Sequence, residues 1–76
     1  MFVNKEKLAY LRNTYTKGTV VELLGMDDPQ APPVGTKGKV VYVDDAGQIG
    51  VAWDTGFSLS LIDGVDSFRI VSAPSV

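Results

Sequence analysis

Histidine and cysteine are both missing from this chain of 76 residues. Without cysteine there is no disulfide staple and no thiol nucleophile, and without either residue the usual zinc sites cannot be built. Without an imidazole, Ser58, Ser60 and Ser67 have no obvious base to activate them. Glutamate is scarce, at Glu6 and Glu22 only. The aspartate pairs Asp27/Asp28 and Asp44/Asp45 are adjacent in loops, where neighbouring side chains point apart and rarely share a proton. The same four carboxylates are hard oxygen ligands, but the spacing of a calcium-binding loop does not occur. They read as solvated turn residues. A chain this small is also expected to lack room for a substrate pocket of about 300 Å³ or more. Neither catalytic residues, nor a cofactor, nor a metal is expected. Long apolar runs are missing too, so no segment reads as a membrane span or signal-peptide core, and cytoplasmic residence is the expectation.

What is present is ordinary for a globular chain: 45% hydrophobic and 21% charged residues. A second hydrophobic core would need roughly 100 further residues, so one domain is expected. The net charge of −2 hides an asymmetry. Residues 1–18 hold Lys5, Lys7, Arg12 and Lys17 against Glu6, a local +3, whereas residues 19–76 carry a local −5. The sequence pI is near 4.7. The basic start is either a solvated face or a complement to an acidic surface, on a partner or on this domain's own body.

Asn4 is placed to cap a helix over Lys5 to Asn13, with Leu8, Leu11 and Tyr15 on one side. A helix this short is stable only when docked. From Thr19 the period changes to two. Strands are expected over 19–24, with Val21 and Leu23 inward, over 37–44, and over 49–54, with Ile49, Val51 and Trp53 on one face. Two more follow at 57–61 and 68–71, the former alternating apolar and hydroxyl residues. Trp53 reads as a core residue whose indole N–H needs a polar neighbour. Turns are expected at Asp45-Ala46-Gly47, Asp54-Thr55-Gly56 and Asp63–Asp66. The long connection from Gly25 to Thr36 contains Pro29, Pro32 and Pro33, which exclude helix and central strand. Gly35-Thr36-Lys37-Gly38 has a phosphate-clamp shape but leads into a strand, so it reads as a turn whose glycines permit positive φ. The fold class is therefore mainly β: a five-stranded SH3-like barrel with a short N-terminal α-helix. Residues 1–18 form the helix and lead-in, 19–71 the barrel, and 72–76 a frayed tail.

The proline connection is the most unusual segment. Met26, Asp27, Asp28, Pro32 and Pro33 combine an adaptable apolar group, two carboxylates and stiff backbone, with Phe57 a neighbour across a hairpin turn. Two readings stand: a recognition loop, or a structural plug with Asp27 or Asp28 bonding backbone amides. The acidic body repels nucleic acid, so contact with it falls to Lys5, Lys7, Arg12 and Lys17, with Tyr10, Tyr15 and Tyr42 available for stacking.

The run from Met26 to Gly38 resembles the signature of an uncharacterised bacterial family, domain of unknown function 4314. Val43–Gly47, Trp53–Gly56, Ser58-Leu59 and Gly64–Phe68 match further, as do Leu11-Arg12 and Tyr15–Thr19. Thr55 stands where such sequences often carry asparagine. The resemblance implies small modules of bacteria and their phages or plasmids, with no assigned activity and no catalytic residues to carry over.

Three functions are weighed. The leading expectation is a non-catalytic protein-interaction module, monomeric or weakly dimeric, using the proline loop on an unidentified protein partner. The alternative is a small acidic phage-type inhibitor of a host nucleic-acid enzyme, in the manner of an anti-CRISPR protein. It would act by protein binding or by DNA mimicry, with Asp44, Asp45, Asp54, Asp63 and Asp66 imitating a phosphate path. One stripe of these acids favours mimicry; scatter opposes it. The third is weak nucleic-acid binding by the basic helix.

Overall fold

The computed structural model describes residues 4–74. Helix α1 spans Lys5–Thr14, and the strands are β1 Val20–Gly25, β2 Lys37–Val43, β3 Gln48–Trp53, β4 Leu61–Ile62 and β5 Ser67–Ser72. Asn4 caps the helix as its chemistry predicts, its Oδ1 accepting the Lys7 N–H at 2.7 Å. The Tyr15 N–H closes the last turn on the Leu11 carbonyl at 2.8 Å. Leu11 is buried, Leu8 is half-buried, and the Tyr15 ring meets Phe68 at 5.5 Å between centroids. Arg12 ties the helix to the turn after β2, its Nη2 donating to Asp45 Oδ1 at 2.7 Å and to the Val43 carbonyl at 3.3 Å. Lys7 lies 3.8 Å from Asp63. Exposed pairs of this kind contribute little, so the burial of Leu11 does more to dock the helix.

Burial pushes the Tyr15 phenol pKa above its ordinary 10.0, with the nearby Asp63 and Tyr10 adding to the effect. The folded state therefore holds this proton more tightly than the unfolded chain. Its contribution to stability is constant below about pH 10 and is lost as pH climbs from there through the folded value. Urea titrations at neutral pH and above pH 10 should show a steeper alkaline loss for wild type than for Tyr15→Phe; equal losses would mean that Tyr15 does not control the alkaline limb.

All five strands pair antiparallel in the order β4-β3-β2-β1-β5. The alternation expected for β1 and β3 is present: Val21, Leu23, Ile49, Val51 and Trp53 are buried together with Leu11, Val40 and Leu61. Closure into a barrel is not seen, since β4 and β5 remain the two edges. The reason lies in β4. A strand over 57–61 was expected, but regular pairing covers only Leu61-Ile62, with an isolated bridge between Ala52 and Ser58. Between them the Trp53 indole donates to the Leu59 carbonyl at 3.0 Å, drawing that carbonyl to a side chain. Phe57, at the start of this segment, is 71% exposed.

The tail departs from expectation as well. Ser72 belongs to β5, and Pro74 is half-buried beside Gly18, where an added Cβ would lie 3.2 Å from the Pro74 Cβ. Ser75 and Val76 lie outside the described residues.

Candidate binding groove

The connection between β1 and β2 is organised by its own side chains. Asp28 Oδ1 accepts the Gln30 N–H at 2.8 Å, and the Ala31 N–H reaches the Asp28 carbonyl at 3.0 Å, so Pro29-Gln30 forms an Asx-type turn. Pro33-Val34-Gly35-Thr36 makes a second turn, with Gly35 at φ +94° and the Thr36 hydroxyl on the Pro33 carbonyl at 2.6 Å. The Gly35 N–H donates to the Leu23 carbonyl at 2.8 Å, fastening the loop to β1. Of the two readings left open, the structural one describes Asp28 and Met26: Met26 is half-buried against the core. Asp27 and Pro33 are exposed and Pro32 is half-buried.

The loop stands off from the segment following β3. Between them lies an open hollow of about 410 Å³, lined by Pro29, Gln30, Ala31, Phe57, Ser58 and Leu59. This corrects the expectation that so small a chain lacks such a space. The hollow is no interior cavity but a surface groove, which the stiff loop props open. It joins Phe57 to the proline loop, as expected, but through Pro29–Ala31 rather than Met26, Pro32 or Pro33. A second hollow, about 130 Å³, lies beside it and shares Ser58 and Leu59, with Val41, Tyr42, Gly50, Val51 and Ser60 completing its walls. There the half-exposed Tyr42 ring rests on Gly50, its cross-strand partner, in space that a Cβ would occupy. Sequence reasoning missed Pro29–Ala31, Ser58 and Leu59 because the loop's fold-back over residues 57–59 leaves no local signal.

The remaining candidates lie outside the groove. Asp44 Oδ1 accepts the Ala46 and Gln48 N–H groups, Asp66 Oδ2 accepts that of Ile62, and Asp45 and Asp63 pair with Arg12 and Lys7. These four share one end of the sheet, because Ile62 pairs with Gln48 and sets the end of β4 beside the β2–β3 turn; Asp54 lies at the opposite end, its N–H on the Lys37 carbonyl. The five acids do not form one row, and four of them hold turns or cations of this chain. Within the basic segment, Lys7 and Arg12 face the domain's own acids, while Lys5 and Lys17 make no ion pair among the described residues. Among the described residues no three acidic side chains converge as a metal site requires. No described helix is long and apolar enough to cross a membrane.

A family model described as Domain of unknown function (DUF4314) matches residues 4–71. No curated protein and no solved structure matches the chain.

Proposed function

We propose that this chain, which belongs to the DUF4314 family, is a non-catalytic protein-interaction module that binds a peptide segment in the groove between the proline loop and Phe57. The observation that carries the reading is the groove itself: a preformed hollow whose floor and rim include proline, alanine, leucine and a largely exposed phenylalanine. Solvent-facing aromatic anchors beside stiff backbone lose little entropy on binding. Asp27, Asp28 and Asp54 lie on the loop and on the turn before Phe57, against Lys37 nearby, so the fitting occupant is an apolar segment flanked by lysine or arginine.

An SH3-like architecture is the finer fold reading. Its support is the antiparallel order, in which β1 pairs with both β2 and β5, and the short Asp63–Asp66 link that joins the edge strands β4 and β5. Mimicry of a phosphate path receives less support, because Asp54 stands apart from the other four acids and those four are engaged with the chain's own groups.

The test is selection from a random peptide library displayed on phage, against the wild-type chain and two variants, Phe57→Ala and Ala31→Glu. Enriched peptides should carry apolar residues beside basic ones, and each variant should bind them about tenfold more weakly or worse. Lack of enrichment, or unchanged binding by both folded variants, would overturn the reading.

A further inference from the structure

The backbone beside the groove takes this reading further. Along the segment after β3, the inward bonds are made by alternate residues: the Trp53 N–H donates to the Phe57 carbonyl at 2.9 Å and the Leu59 N–H to the Val51 carbonyl at 3.2 Å. Ser58, bridged to Ala52 between these two bonds, therefore turns its own N–H and C=O away from the sheet, and Ser60 does so by the same alternation. Neither serine's backbone makes a hydrogen bond among the described residues. The next outward amide, Ile62, is capped by the Asp66 carboxylate at 2.8 Å. The edge is closed at one position and open at two.

Those two positions lie where the hollows meet. Ser58 lines both, and Ser60 lines the smaller one. The opposite edge, β5, has two register irregularities against β1, and neither hollow reaches it.

We propose that Ser58–Ser60 is a strand-addition site, taking an extended apolar peptide flanked by lysine or arginine as a sixth strand of the sheet; this deepens, and rests on, the peptide-binding reading above. Main-chain bonds to Ser58 and Ser60 supply register-fixed affinity, and alternate side chains of the guest enter the two hollows. Phe57 and Leu59 share one face of the segment and receive one set; Tyr42 and Ser60, of opposite parity, receive the other. The basic flanks follow from charge. Asp54 precedes the edge and makes no ion pair among the described residues; past the other end Asp66, held only by the neutral Ile62 N–H, keeps its charge, while Asp63 is shared with Lys7 at 3.8 Å.

The probe is the capped peptide Lys-Thr-Val-Thr-Leu-Thr-Lys, with two copies N-methylated on one or the other set of alternate amides. Binding is followed on the isotopically labelled full chain by amide shifts and hydrogen exchange. The expected result is slowed exchange at Ser58 and Ser60, with one methylated copy about tenfold weaker and the other unaffected. Ser60→Pro, which removes an amide that makes no hydrogen bond among the described residues, should weaken binding similarly while leaving the spectrum folded. Shifts confined to Pro29–Ala31 and Phe57, with both methylated copies binding equally, would overturn strand addition and leave the groove reading intact. No binding at millimolar peptide would also overturn it, with the display selection judging the groove separately. Slow exchange at the two serines without peptide, rising with protein concentration, would assign the edge to a second copy and overturn it as well.

Discussion

Trp53→Ala is expected to leave the chain without a cooperative unfolding transition at room temperature. The side chain is 3% exposed and belongs to the buried cluster that also holds Leu23, Val40, Ile49, Val51 and Leu61. Truncating a buried tryptophan costs about 3–5 kcal/mol, while a domain of this size has only about 4–11 kcal/mol in all by the usual per-residue range. Small cores without staples lie toward the lower figure. The indole makes a second contribution through its Nε1–H bond to Leu59 at 3.0 Å, which holds the segment carrying Phe57 and Ser58 against β3. Trp53→Phe separates the two effects. It keeps most of the apolar contact and loses the bond, so it should fold with a loss of about 1–2 kcal/mol. Circular dichroism in urea is the proper readout, because Trp53 is the single tryptophan and its fluorescence vanishes with it. A Trp53→Ala chain within about 1 kcal/mol of wild type would show that the core does not depend on this residue.

The same bond explains why the fold was legible in part. Inward residues of β1 and β3 followed from a period of two, because each strand has one face on the core and local alternation records that fact. The Asn4 cap and the Asp28 turn were legible for a similar reason, since their acceptors and donors lie within three residues of one another. The strand over 57–61 had the clearest alternation in the chain and yet pairs regularly only at its end. Its Leu59 carbonyl is taken by an indole six residues back, a choice made by packing and invisible to any count of apolar positions. The groove was half legible. Proline content marked the loop as stiff, and Phe57 was named as a neighbour across a hairpin turn, but which loop residues face Phe57 depends on how the chain folds back. Met26, singled out for its adaptability, is turned against the core instead.

Gly38 was placed both in a turn whose glycines permit positive φ and in the strand over 37–44, and its role in that strand yields the second large effect. Gly35 takes the positive φ, at +94°, with open space around an added Cβ. Gly38 is instead an inward strand residue opposite Trp53 and Val21, and a Cβ there would lie 2.6 Å from Val51 Cγ1 and 2.9 Å from both the Ala52 carbonyl oxygen and Trp53 Cε3. Only glycine lets β2 approach this closely beneath the indole. Gly38→Ala is therefore expected to cost about 1–3 kcal/mol by overpacking, against a gain of about 0.4–1 kcal/mol from restricting the unfolded chain. Gly38→Val should exceed the upper figure and abolish folding. Gly35→Ala also destabilises, by about 1–2 kcal/mol, but through backbone strain alone. The two mechanisms separate cleanly in a synthetic chain: D-alanine at Gly35 should restore stability to at least the glycine level, because it adopts that φ without strain. A second separation uses the neighbour. Val51→Ala removes the nearest methyl and should relieve part of the Gly38→Ala loss in a double-mutant cycle, while the Ala52 carbonyl, being backbone, keeps the remainder. Urea midpoints at unchanged m-value measure all of these. Full additivity of the Gly38 and Val51 substitutions would show that the two do not meet, and with that the close approach of β2 to Trp53 would fail as the reason for glycine at this position.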